Sequence, residues 1–151
     1  MPTRRAILQL AAVAPLAALA ACGTDEAGPA SNADDAVRQA VADSEQTLIN
    51  RYDATIAAFP SLAEKLRPLR DQHAEHLAAV GSDPVSPDQS GAPVAKTAAG
   101  AFSALTAAER KAASDRTASC GQASGGDLIW NLALIAASEA QHATQLAKGS
   151  A

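Results

Sequence analysis

The sequence predicts an all-α protein, an antiparallel four-helix bundle, and three observations carry that prediction. Beyond residue 33 the chain is crowded with Ala, Leu, Glu, Gln and Arg, while aromatic residues make up only 3% of the whole, a composition that favours helix over strand. Four stretches place apolar residues at three- and four-residue steps, the period of one helix face. Breaks between them are marked by Pro60, by Gly81 and by the glycines around residue 124.

The first helix is expected from about Ala33 to Phe59, on a stripe of Val37, Val41, Leu48, Tyr52, Ile56 and Phe59, with Pro60 ending it. A second runs from Ser61, an N-cap candidate before "LAEKL", to Val80, with Gly81 as the stop. Pro68 lies inside it and predicts a kink, because it removes a backbone donor and crowds the preceding turn. The third covers about Lys96 to Cys120, and Gly100 weakens its start. The fourth spans Gly126 to Lys148 and carries Leu128, Leu132, Ile135 and Leu146 on one stripe. Between the second and third lies "SDPVSPDQSGAPVA", which at roughly 3.3 Å per residue reaches about 45 Å, longer than the helices themselves. Two hairpins joined by such a link suit a bundle with one long crossover, and equally an up-and-down bundle.

The N-terminus reads as a targeting segment rather than part of the fold. A basic start at Arg4 and Arg5 leads into an apolar run from Ala6 to Ala21, broken by Pro15 and closed by "LAAC" at Cys22. That ending resembles a bacterial lipobox, which implies cleavage after residue 21, lipidation of Cys22 and anchoring at the outer face of the cytoplasmic membrane. The stretch "TRRAILQ" also resembles a twin-arginine export signal, alongside the ordinary secretory route. Residues 22–33 are rich in Gly, Pro, Ser and acid and read as a flexible tether, leaving residues 34–148 for the bundle.

Charge and cysteine content exclude several classes of function. Without residues 1–21 the chain keeps ten basic and sixteen acidic residues, a formal charge of −6. No basic patch is present to neutralise phosphates, so nucleic acid is not expected as a partner. With Cys22 assigned to lipid, Cys120 has no disulfide partner and is expected as a small buried residue. No phosphate-binding loop, Cys-x-x-Cys or nucleophile motif occurs. A homodimer stays open, and no protein partner is identified.

The chemistry concentrates in six side chains. Two of the three histidines stand at i, i+3 in "RDQHAEHLAAVG", as His73 and His76, and the third, His142, follows Glu139 at the same spacing in "ASEAQHATQL". On every helix the apolar stripe is interrupted where Leu would be expected: by Glu45 on the first, His73 and His76 on the second, Glu109 on the third, Glu139 and His142 on the fourth. Counted from the turns near residues 60 and 124, all six lie about 20 to 27 Å along their helices at 1.5 Å per residue. They therefore meet at one level. Burying so many ionisable groups uncompensated would cost several kcal/mol each, and a divalent transition metal offsets that cost with the O and N donors present.

At this point the chain resembles the ferritin-like superfamily, in particular its small exported bacterial members. The family pattern places one Glu on each of two helices and Glu-x-x-His on the other two. Glu45 and Glu109 match the single glutamates, and Glu139 with His142 matches one Glu-x-x-His. The second helix departs, since "HAEH" supplies His73 where Glu is expected, while His76 fits its position. The resemblance implies a metal site at Glu45, His73, His76, Glu109, Glu139 and His142 holding Fe, Zn or Cu. The substitution lowers the site's negative charge and argues for a mononuclear or asymmetric centre.

A metal-free bundle with a structural or partner-binding role is the alternative. In it Arg116, on the same stripe as Glu109, pairs with Glu45 and Glu109, and the histidines of the second helix lie on an exposed edge. Tyr52 is expected in the core with a satisfied hydroxyl, and Trp130 in the core or capping the bundle end.

Overall fold

The structure, a computed structural model, describes residues 29–85 and 94–149. Among them it contains four α-helices: α1 (Pro29–Ala58), α2 (Ala63–Ala79), α3 (Ala98–Cys120) and α4 (Gly126–Gly149), with a short 3-10 turn at Pro60–Leu62 before α2. No strand occurs among the described residues. The expected segments are all present, within five residues at each end. Cys22 and the targeting segment lie outside the described residues, and no described helix is long and apolar enough to cross a membrane.

Three boundaries differ from expectation for local reasons. Helix α1 begins at Pro29, so the last five residues of the expected tether are helical; proline suits a first helical turn, where its missing N–H would have no partner anyway. Asp34, one turn further on, accepts backbone hydrogen bonds from Ser124 (2.7 Å) and Gly125 (2.9 Å), tying this end of α1 to the turn between α3 and α4. A Cβ on Gly125 would come within 2.8 Å of the same carboxylate, which explains the glycine. Ser61 is not the cap of α2 but sits within the 3-10 turn that Pro60 initiates, and α2 runs on through Pro68. Thr97 caps α3, its hydroxyl accepting from Gly100 N at 3.1 Å.

Packing sorts the apolar stripes into two clusters. Val37, Val41 and Ile49 of α1 join Leu77 and Val80 from the end of α2, and Leu128, Leu132 and Ile135 from the start of α4, with Cys120 and Ala123 against them. Tyr52 and Ile56 of α1 join Leu66 and Leu69 of α2, Phe102 and Leu105 from the start of α3, and Leu146 near the end of α4. The end of α2 therefore lies by one cluster and the start of α3 by the other. Beyond the end of α2, Val85 N donates to Gln46 Oε1 at 3.0 Å, midway along α1.

Trp130, expected in the core or capping the bundle end, is 66% exposed, with Leu134 at 53%. Leu128 and Leu132 take the inward face, and a residue two positions from each is turned about 200° away. Leu132 is fully buried between the helices. Leu132→Ala is expected to cost about 3 kcal/mol, measured as a shift in urea midpoint at unchanged slope.

Candidate metal centre

Between the two apolar clusters lies a polar layer. Glu45, His73, Glu109 and Glu139 are 0% exposed, His142 is 1% and His76 is 9%. Each helix delivers its share by the same device, a polar residue on the inward stripe flanked by buried apolar ones: Val41 and Leu48 around Glu45, Leu69 and Leu77 around the histidine pair, Leu105 and Ala112 around Glu109, Ile135 and Leu146 around Glu139 and His142. The helical period aims them inward whatever their chemistry, because leaving them out would expose the leucines instead.

All six predicted groups come together, in two overlapping sets. One ligand atom each from Glu45, His73, His76 and Glu139 fall within 4.8 Å of one another, as do atoms from His73, Glu109 and His142. His73 belongs to both. Its Nδ1 is 2.8 Å from Glu45 Oε2 and its Nε2 2.9 Å from Glu109 Oε1, so one imidazole bridges carboxylates of α1 and α3. The three imidazoles cluster, with ring centroids 5.2 Å (His73 to His142), 5.4 Å (His73 to His76) and 6.2 Å (His76 to His142) apart. The exposed-edge alternative for His73 and His76 is thereby overturned.

Two further residues complete the layer. Arg116, 2% exposed, places Nη2 3.0 Å and Nε 3.2 Å from Glu45 Oε1, and Nε 3.5 Å from Glu139 Oε1. Sequence spacing suggested Glu45 and Glu109 as its partners; the structure keeps Glu45 and exchanges Glu109 for Glu139. Tyr52 is fully buried and its hydroxyl donates to Glu109 Oε1 at 2.5 Å, meeting both halves of its expectation.

Gln72 and Ser138 were not singled out in the sequence. Gln72 Oε1 lies 2.8 Å from His142 Nε2, and Ser138 Oγ 3.3 Å from the same nitrogen. Accepting from Nε2–H, the Gln72 carbonyl leaves Nδ1 of His142 with its lone pair directed into the layer, the usual way an outer partner sets a ligand's tautomer. The i, i+4 spacing of Ser138 and His142 was a readable signal; nothing in the chain pairs Gln72 with a residue seventy positions away.

Electrostatics in the layer are those of a compensated cluster. Burial by itself would lower the His73 pKa, but the hydrogen bonds to Glu109 and Glu45 outweigh it and raise it to about 9. Burial works against ionising Glu45 and Glu109 as well; contacts with His73, His76 and Arg116 hold Glu45 far below the usual carboxylate range, and contacts with His142, His73 and Tyr52 do the same for Glu109. Glu139 goes the other way. Burial, reinforced by the negative charges of Glu45 and Glu109, pushes it well up, against the pull of Arg116.

The compensation is incomplete. Among the described residues, five buried side-chain atoms have no hydrogen-bond partner: His76 Nδ1, His142 Nδ1, Glu109 Oε2 and both oxygens of Glu139. Buried polar atoms are ordinarily paired, at a cost of one to several kcal/mol when they are not. Every one of the five is a metal-ligating type. His142 Nδ1 stands 3.5 Å from Glu109 Oε2 and His76 Nδ1 3.4 Å from Glu45 Oε2. Two donors bound about 2.1 Å from one tetrahedral ion are about 3.4 Å apart, so these separations fit shared coordination better than hydrogen bonding. His76, with 11% of its side chain exposed, is the least enclosed of the six and marks the side nearest solvent. The donor chemistry, three imidazoles and three carboxylates, fits an ion of intermediate hardness.

Comparison with protein-family models, curated proteins and solved structures finds no match.

Proposed function

We propose that this chain is a ferritin-like four-helix bundle that holds a transition metal, Fe, Zn or Cu, in its central polar layer. In this reading the protein is an exported lipoprotein, anchored through Cys22 at the outer face of the cytoplasmic membrane, and it sequesters the metal or cycles its redox state there. The observation that carries the proposal is the set of five unpartnered ligand atoms at the heart of an otherwise well-packed bundle. Direction supports it too: His142 Nδ1 is left free by the Gln72 bond to the opposite nitrogen.

The residues that would hold the ion are Glu45, His73, His76, Glu109, Glu139 and His142. When bound, it would supply Lewis acidity or, for Fe and Cu, an electron-transfer couple. What this chain's own residues do is bind and exclude water. Tyr52 and Gln72 orient Glu109 and His142 from behind, and the apolar clusters on either side close the layer to solvent except beside His76.

A metal-free structural bundle is the second reading, favoured by one observation: Glu45 and Glu109 already have cationic partners in His73 and Arg116. It accounts for those two carboxylates and leaves Glu139 with no hydrogen bond and a single ion-pair contact, Arg116 Nε at 3.5 Å from Oε1. The deciding measurement is metal content by mass spectrometry on protein made without residues 1–21. Near-stoichiometric Fe, Zn or Cu, lost in His76→Ala/His142→Ala, supports the metal centre; protein that stays metal-free in the presence of all three ions establishes the structural reading.

A further inference from the structure

We infer that Arg116 takes the place of a second cation, so that the polar layer accepts one divalent ion per chain and not a pair. The inference rests on the metal reading above and adds the ion count and the residue that sets it.

The geometry comes first. Glu45 on α1 and Glu139 on α4 both face one guanidinium. Arg116 reaches Glu45 Oε1 through Nη2 and Nε at 3.0 and 3.2 Å, and its Nε lies 3.5 Å from Glu139 Oε1. The guanidinium is 98% enclosed, its relative exposure being 2%. Glu45 Oε1 is therefore taken. What remains without a hydrogen bond is His76 Nδ1, His142 Nδ1, Glu109 Oε2 and the two oxygens of Glu139, of which Oε1 faces the guanidinium at 3.5 Å.

Charge gives the same count independently. The buried acids among the described residues are Glu45, Glu109 and Glu139, and the one buried arginine or lysine is Arg116. With neutral imidazoles as ligands, three carboxylates and one guanidinium leave a charge of −2, which one divalent ion cancels. A second ion would leave +2 in the interior with no further buried acid to balance it. The open donors combine two imidazole nitrogens with three carboxylate oxygens, and the imidazoles favour Zn(II), Cu(II) or Fe(II) over Mg(II) or Ca(II), which take oxygen ligands.

The test is native mass spectrometry of the purified protein titrated with Zn(II), alongside Arg116→Met, which keeps the unbranched apolar stem and removes the charged group, and Arg116→Lys, which keeps the charge. Wild type is expected to saturate at one ion per chain. Arg116→Met is expected to bind its first ion about tenfold or more tightly, since a cation within a few ångströms of the site is gone; Arg116→Lys is expected to remain at one ion. Two ions on wild type would overturn the inference, as would a folded Arg116→Met with unchanged affinity. If Arg116→Met fails to fold, the wild-type and Arg116→Lys counts decide, and a count of two on either overturns it. No ion on wild type refutes the metal reading itself, a separate outcome.

Discussion

Excess Zn(II), Cu(II) or Fe(II) added to the metal-free protein is expected to raise its melting temperature by roughly 15 °C. An ion that binds only the folded state at a thousandfold above its dissociation constant contributes about 4 kcal/mol, and a domain of this size shifts by roughly 4 °C per kcal/mol. The physical source is the relief of five buried atoms that have no partner in the metal-free layer. His76→Ala/His142→Ala removes two of the donors and should abolish the shift. Leu132→Ala is the control: it lies in the apolar cluster beside the layer, so it should lower the melting temperature with and without metal while leaving the increment intact. Calorimetry on the three proteins reads all of this directly, and a melting temperature indifferent to all three ions removes the thermodynamic case for the centre.

The metal-free protein should be most stable at mildly acidic pH and lose stability as pH rises, and metal should reverse that slope. His73 has its pKa raised from 6.5 to about 9 by Glu109 and Glu45. A raised histidine stabilises fully below its unfolded pKa and loses that contribution as pH climbs through the folded value, here from about 6.5 to 9, on the order of 3 kcal/mol in all. Glu139 is raised too, so its stabilisation is complete below 4.5 and declines above it. Glu45 and Glu109 are depressed, so theirs is present above 4.5 and declines as pH falls further. Together these give a maximum near pH 5 and a fall towards pH 9 to which His73 alone contributes roughly 10 °C in melting temperature, with Glu139 adding to it. Metal binding requires deprotonated ligands and strengthens with pH, so saturated protein should be flat or rising over the same window. Thermal melts at unit steps of pH, with chelator and with Zn(II), measure both slopes. His73→Gln, which cannot be protonated, should flatten the metal-free slope between pH 6.5 and 9; an unaltered slope would show that His73 is not the bridging cation.

The six layer residues were legible because a helix advertises its inward face. A Glu or His that interrupts a leucine stripe is aimed at the core by the same 100° step that aims the leucines, and counting back from a turn gives its depth. A different kind of reasoning failed at Trp130, where aromatic character suggested the core or a bundle-end cap while the phase of Leu128 and Leu132 already placed it outside. Phase was the better guide. The start of α1 was misjudged because Gly, Pro, Ser and Asn near residue 30 read as linker, whereas the contact of Asp34 with the turn at Ser124 and Gly125 lies ninety residues away in the chain.

Arg116 shows where reading along the chain stops. Its position on the α3 stripe was visible, and pairing with an acid followed from its burial; which acids it meets was not. The sequence by itself determined the helices, their inward faces and the presence of a polar layer, since each depends on neighbours three or four residues apart. Only the tertiary structure decided that His73 bridges Glu45 and Glu109, that Arg116 binds Glu45 beside Glu139, and that Gln72 orients His142. Those pairings join different helices, and their partners depend on sub-ångström differences in how four rods pack, which no periodicity within one rod encodes.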